Sequence, residues 1–233
     1  MRGEARGYFL KEYGSWSVLI VSYITGLSVS RGFTWLALPL FLALGLLINS
    51  KQAFTKWLRK KGDARSGIIF VSQIVIAAVI LIAVFGNDIP RLLFLLVFPA
   101  AYLLMNRFAG EHFVLTEMLG FSLISLAAVL AKFVVTGGVD VRLFVAVALY
   151  FTAGVFKIKS LLLRKTRDRV FTVLYAAFAV YGYQRFHISL LILLPVVENV
   201  IAAVALYKVK LQTTGWIEVT KSLLFLVLMI AFY

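Results

Sequence analysis

The stretch LINSKQAFTKWLRKKGDARSGII (47–69) places a strongly basic segment between two apolar ones. It contains six Lys and Arg residues against a single Asp. Proteins that cross a bilayer repeatedly concentrate Lys and Arg in the short loops on the cytoplasmic side. The stretch therefore predicts two membrane helices that are joined by a cytoplasmic loop.

The composition of the whole chain agrees with this prediction. Of its 233 residues, 62% are hydrophobic and only 15% are charged, which is more apolar surface than a soluble domain of this size could cover. Apolar runs long enough to cross a hydrocarbon core of about 30 Å recur along the sequence. We expect an all-α, polytopic membrane protein that forms a single transmembrane domain over residues 1–233.

The net charge of +14 does not indicate a nucleic-acid partner, because the charges lie in short segments between the apolar runs. Membrane lipids are the expected partners of these basic segments, through the anionic head groups. The chain has no cysteine, which excludes disulfides and thiolate metal sites.

The apolar periodicity and the Gly, Asn, Asp and Pro residues between the runs predict nine transmembrane helices. Pro195 is expected to kink the eighth of them. The predicted ranges are 15–30, 33–50, 67–85, 91–107, 114–132, 141–157, 170–184, 188–207 and 216–232.

Loop charge orients the nine predicted helices. With the N-terminus inside, the inner segments hold 19 of the 24 Lys and Arg residues, and the outer loops hold five. This asymmetry predicts a cytoplasmic N-terminus and an external C-terminus in the cell membrane. The two most basic segments, 51–65 and 157–169, would then both be cytoplasmic loops.

These two basic loops follow predicted helices 2 and 6, which suggests duplicated four-helix units at roughly 33–132 and 141–232. The layout resembles that of the UbiA superfamily of intramembrane prenyltransferases. In that superfamily, the loops after helices 2 and 6 carry aspartate-rich motifs that hold magnesium against an isoprenyl diphosphate. The resemblance implies a UbiA-like bundle.

A more local resemblance lies in LKEYGSWSVLIVSYITGL (10–27) with WLALPLFLALGLL (35–47), and in EHFVLTEMLGFSLISLAA (111–128). These stretches resemble the YwiC-like family, whose members begin with a Lys-Glu/Gln-His-Gly-Ala-Trp type of motif. Tyr13 and Ser15 stand here in place of the family's His and Ala. The matching motif residues are Lys11, Glu12, Gly14 and Trp16.

The aspartate-rich motifs of the UbiA superfamily are degenerate in this chain. The first motif has Asn, then Asp four and eight positions later; counted from Asn49, those positions hold Ala53 and Trp57. The second basic loop has Asp168 as its single acid. A magnesium site needs several carboxylate oxygens, so we expect no cofactor, and Mg²⁺ only if the protein is catalytic.

Basic side chains can hold a diphosphate or another anionic head group directly. The alternative is that they only anchor the loops at the membrane surface. The candidates for direct binding are Lys51, Lys56, Arg59, Arg164 and Arg167.

Acidic residues within apolar helices need partners or water. Glu117, in the first turn of predicted helix 5, is the first candidate for a functional acid, and Glu198 and Glu12 are the others. We expect Glu198, beside Asn199, to pair with a basic or amide group. A cytoplasm-facing cavity could collect residues at the depth of Glu117, namely Lys11, Glu12, Tyr13, Trp16, Asn49, Arg107, Glu111 and His112.

Three functions are compatible with these residues. The first is non-catalytic binding of an isoprenoid, quinone or lipid, as an accessory protein of a respiratory membrane complex. The second is a divergent prenyltransferase that uses Glu12, Glu111, Glu117 or Glu198 in place of the loop aspartates. The third is a small-molecule transporter, since carriers also combine repeats with midplane polar residues.

Overall fold

The computed structural model describes residues 13–59, 64–110, 112–205 and 211–233. Within these ranges every regular element is helical, which confirms the all-α class. The α-helices are α1 Tyr13–Val29, α2 Ala37–Arg59, α3 Ala64–Phe85, α4 Ile89–Leu92, α5 Val97–Ala109, α6 Val114–Thr136, α7 Val141–Leu163, α8 Thr166–Arg185, α9 Val197–Ala205 and α10 Leu211–Phe232. Short 3₁₀ segments cover Gly86–Asp88, Leu93–Leu96 and Leu190–Val196.

Five helical stretches of the described chain are long and apolar enough to cross a membrane. These make the chain a helical membrane protein. Two further apolar helices, Gly14–Val29 and Leu190–Ala205, are shorter. The five stretches are Ala37–Trp57, Ala64–Ala109, Val114–Thr136, Val141–Leu163 and Thr213–Phe232.

The predicted ends of helices 2 and 6 were wrong. Helix α2 continues nine residues past position 50, to Arg59, and α7 continues six residues past 157, to Leu163. Arg164 adopts a left-handed conformation with φ 52° that ends α7, and α8 begins at Thr166. Much of each basic segment is therefore helix, and the connection between α7 and α8 is only two residues long.

The predicted eighth helix also differs in the structure. Its first part, Leu190–Val196, is a 3₁₀ helix with Pro195 inside it, and the α-helix begins only at Val197. Proline has no N–H and cannot continue the α-helical hydrogen-bond pattern, which explains the change of helix type at this point.

The bundle is built around α6 and α7. Helix α1 packs along α6, α7 packs between α6 and α8, and α10 packs against α1 and the Leu190–Val196 segment. The α1–α6 contact is very close at Gly26, where an added Cβ would lie 2.1 Å from the carbonyl oxygen of Ala128. A side chain of any size at position 26 would push the two helices apart.

We predict that Gly26→Val lowers the stability of the protein by about 2–3 kcal/mol, because the new side chain meets backbone atoms that cannot move aside. Thermal unfolding in detergent micelles, followed by circular dichroism, measures the change. Gly154→Val in α7 is the matched control, since a Cβ at Gly154 meets nothing within 4 Å. An equal effect of both substitutions would contradict the close contact at Gly26.

Asp140 joins the ends of three helices on one side of the bundle. Its carboxylate accepts hydrogen bonds from the N–H of Leu143 (3.0 Å), from Lys132 Nζ (2.6 Å) and from the hydroxyl of Tyr233 (2.9 Å). It therefore caps α7 and ties it to the end of α6 and to the residue that follows α10. Burial alone would raise the pKa of Asp140, but these hydrogen bonds outweigh burial and lower the pKa below its usual value.

Because the pKa of Asp140 is lowered in the folded protein, its carboxylate stabilises the fold above the unfolded-state pKa. This contribution is lost as the pH falls through the folded pKa, below the ordinary value of 3.8. We predict that Asp140→Asn costs about 1–2 kcal/mol near neutral pH, because Asn keeps a capping oxygen but loses the charge that pairs with half-buried Lys132.

Chemical unfolding of both proteins as a function of pH tests the Asp140 prediction. The stability difference between the wild type and Asp140→Asn should be constant above about pH 5 and shrink below the ordinary pKa of the carboxyl. A difference that grows on acidification would contradict the prediction.

Candidate functional site

A large apolar cavity lies between the α2–α3 pair on one side and α5, α6 and α7 on the other. Its volume is about 990 Å³. Helix α3 packs against α2, and α5 packs against α6, so the cavity separates α3 from α5. The walls carry, among others, Leu44 and Ile48 of α2, Phe70, Ile74 and Ala78 of α3, Leu103 of α5, Ile124 of α6 and Ile158 of α7.

The sequence between α3 and α5 explains why these helices stand apart. Gly86 adopts φ 47°, in the left-handed region that favours glycine, and a short 3₁₀ segment starts there. A second 3₁₀ segment, Leu93–Leu96, follows α4. This connection carries the chain across one end of the cavity, and Ile89, Leu92 and Leu95 on it line that end.

Polar residues are concentrated at the opposite end of the cavity. Glu117, in the first turn of α6, forms an ion pair with Lys159 of α7 (3.0 Å) and lies 3.8 Å from Nδ1 of His112. Lys159 also donates a hydrogen bond to the carbonyl oxygen of His112 (2.9 Å). Lys51 and Asn106 line the same cavity. The cavity thus has a long apolar wall and a polar group of residues near the ends of α5, α6 and α7.

Thr116 belongs to this polar end but was not singled out in the sequence. The residue is fully buried and lines the cavity. Its Oγ1 atom has no hydrogen-bond partner in the described part of the chain. A buried hydroxyl normally finds a partner, so the unsatisfied atom is informative about the cavity.

A second polar cluster, which we call the lysine–glutamate ring, lies on the other side of α7. Lys157 Nζ contacts Glu198 (2.5 Å) and Glu218 (2.6 Å), and Lys221 Nζ contacts the same carboxylates at 2.9 and 3.1 Å. Lys221 also donates a hydrogen bond to Asn199. The two ammonium groups and two carboxylates balance one another, as charges within a membrane require.

The structure separates two of the three predicted functional acids. Glu117 lines the cavity, whereas Glu198 belongs to the lysine–glutamate ring, where it does pair with basic groups. The loop-charge pattern predicts that Lys157 belongs to a basic loop, and Glu218 is absent from the predicted site. The available signal was Glu218 with Lys221, an opposite-charge pair three residues apart in an otherwise apolar helix.

Of the predicted binding residues in the described chain, Lys51 and His112 line the cavity with Glu117, and Asn199 contacts the lysine–glutamate ring. Four other predicted residues do not line the cavity: Asn49 is buried, Lys56 is half-buried, and Arg107 and Arg164 are exposed. Trp16 packs against Gly45. Arg167 is exposed, 3.8 Å from Asp168. Lys11, Glu12, Glu111 and the side chains of Tyr13 and Arg59 lie outside the described residues.

Where the aspartate-rich motif of the UbiA superfamily would stand, this chain has packing residues. Ala53 is completely buried, and Trp57 stacks on Phe70 of α3 with ring centroids 6.2 Å apart. Gly67 gives the Trp57 ring room, since a Cβ there would lie 3.3 Å from Trp57 Nε1. These positions therefore join α2 to α3. Among the described residues, no group of three or more His, Cys, Asp or Glu side chains could hold a metal ion.

The apolar helices, the cavity and its polar end define a helical membrane protein with a large apolar cavity that is polar at one end. The sequence profile described as "YwiC-like protein" matches residues 10–132, which is just over half of the chain. The chain belongs to this family. No curated protein and no solved structure matches the chain.

We predict that the lysine–glutamate ring stabilises the folded protein. We expect Lys157→Met to destabilise the protein by about 3 kcal/mol, the lower end of the loss for a buried pair, because two half-buried carboxylates lose a shared cation. Adding Glu198→Gln should recover part of the loss, since the remaining Lys221 and Glu218 balance each other. Thermal unfolding of the single and double variants measures this coupling. Additive losses in the double variant would contradict the ring.

Proposed function

We propose that this protein binds an isoprenoid, a quinone or another lipid-like amphiphile in the cavity between α3 and α5, without catalysing a reaction. The observation that supports this most is the combination of a long apolar wall with polar groups at one end. An amphiphile has the same distribution: its chain gains free energy from burial against apolar walls, and its head needs hydrogen-bond partners.

The size of the cavity supports a ligand of this kind. Small-molecule pockets usually have volumes of about 300–1,000 Å³, and the volume of about 990 Å³ lies at the upper end of this range. A long hydrocarbon chain fits such a space better than a small polar metabolite, because most of the lining is aliphatic or aromatic.

The position of the cavity gives a ligand a route from the lipid. Helices α3 and α5 border the cavity, and their outer faces carry exposed apolar residues such as Val75, Val79 and Leu104. In a membrane these faces would contact lipid, so an amphiphile could enter sideways between the two helices. We propose nine spans in a UbiA-like bundle, with the N-terminus and the polar end of the cavity on the cytoplasmic side, because Lys and Arg concentrate there.

The described residues give the enzyme alternative less support. A prenyltransferase of the UbiA type needs a metal-binding group of carboxylates, and Glu117 and Glu198 each pair with lysines in separate clusters. We propose that the protein's partner is a respiratory membrane complex, to which it is an accessory protein. A bound quinone would link the protein to such a complex.

Ala78 offers a direct test of binding. It lies on α3, is exposed, and borders the cavity, so Ala78→Trp should fill the space without disturbing the core. We predict that lipid extraction and mass spectrometry of the purified wild type recover a retained isoprenoid, quinone or lipid. In Ala78→Trp the amount should fall about tenfold or more, as expected if roughly 1.4 kcal/mol or more of binding free energy is lost.

Ala83→Trp is the matched control, since Ala83 is exposed on the same helix but does not border the cavity. It should retain the ligand as the wild type does. Equal retention by both variants, or no retained amphiphile in the wild type, would contradict the proposed function. Turnover of labelled prenyl diphosphates with a membrane acceptor would favour the enzyme alternative, and flux in proteoliposomes would favour the transporter.

A further inference from the structure

Two fully buried hydroxyls of the described bundle have no hydrogen-bond partner, Ser22 Oγ and Thr116 Oγ1, and of these two residues Thr116 lines the cavity. Within helices, Thr25, Thr136 and Thr172 each donate a hydrogen bond to the carbonyl oxygen four residues earlier. This bond is the usual way to satisfy a hydroxyl on an apolar helix. Thr116 does not make it, and its Oγ1 has no partner among the described residues although the side chain is fully buried.

The carbonyl four residues before Thr116 lies outside the helix. It belongs to His112, which precedes the extended N-cap residue Phe113, and it accepts a hydrogen bond from Lys159 Nζ at 2.9 Å. Lys159 also pairs with Glu117, the residue next to Thr116. Lys159 therefore holds the start of α6, and the Thr116 hydroxyl has no partner among the described residues. Because Thr116 lines the cavity, a ligand held there is the candidate partner for this hydroxyl.

The charges around Thr116 restrict the kind of head group. Glu117 presents a carboxylate at this end of the cavity, and Lys159 is already matched by it at 3.0 Å. Lys51 also lines the cavity. The Lys and Glu side chains of the described lining, Lys51, Lys159 and Glu117, together carry one net positive charge. A diphosphate carries two to three negative charges and requires metal ions or several cations, more than these described side chains supply.

We infer that the cavity selects an amphiphile with an uncharged head, a hydroxyl or carbonyl oxygen that forms a hydrogen bond with the Thr116 hydroxyl, over one with a diphosphate head. This inference rests on the proposed function, which it narrows to neutral isoprenoid alcohols and quinones. Asn106 of α5, which also lines the cavity, supplies an amide at the same end for a second hydrogen bond to such a head.

Two probes with the same chain and different heads test the inference: geranylgeraniol and geranylgeranyl diphosphate. Binding is measured on the full-length protein in detergent by titration with native mass spectrometry. We predict that the alcohol binds at least roughly tenfold more tightly than the diphosphate. Thr116→Val should weaken binding of the alcohol roughly three- to tenfold, which corresponds to loss of one neutral hydrogen bond.

Thr116→Ser is the matched control, because it keeps the hydroxyl and should restore binding of the alcohol close to the wild-type affinity. Thr116→Val should leave the diphosphate affinity unchanged. Tighter binding of the diphosphate, or equal affinity of the alcohol for the wild type and for Thr116→Val, would overturn the inference while leaving the proposed cavity binding intact. Failure of both probes to bind would instead contradict the proposed function itself. Retained thermal stability of Thr116→Val shows that an altered affinity is not a folding defect.

Discussion

The organisation of this protein depends on the requirement that each lysine of α7 be paired within an apolar bundle. Lys157 and Lys159 are two residues apart, so they leave the helix about 200° from each other. Lys159 reaches Glu117 of α6 on the cavity side, and Lys157 reaches Glu198 and Glu218 on the opposite side. Helix α7 is thereby tied to three other helices at similar depth. An unpaired ammonium group there would cost several kcal/mol.

These two sets of ion pairs also divide the bundle by chemistry. In the lysine–glutamate ring, two ammonium groups contact two carboxylates, and these ion pairs connect α7, α9 and α10. The Glu117–Lys159 pair lies at the wall of a cavity and next to a buried hydroxyl without a partner among the described residues. Polar residues at the end of a cavity can form hydrogen bonds with a ligand, whereas ion pairs between helices mainly hold the helices together. This difference is why the cavity carries the functional proposal.

Much of the helical layout could be predicted from the sequence, because apolar runs and turn residues report it locally. The all-α class and the family were confirmed, and Glu198 has the basic partners expected for it. The ends of α2 and α7 could not be predicted, since Lys157 looks like a loop residue until its partners, 41 and 61 residues away, are known. The cavity depends on the distance between α3 and α5. The role proposed for Thr116 depends on the hydrogen bonding of a single hydroxyl, which no sequence pattern encodes.

An experimental structure of the protein in lipid nanodiscs tests the central claim most directly. The account predicts elongated density in the space between α3 and α5, with its polar end within hydrogen-bond distance of Thr116 Oγ1 and next to the Glu117–Lys159 pair. A structure in which α3 closes against α5 and leaves no space for an amphiphile would contradict it.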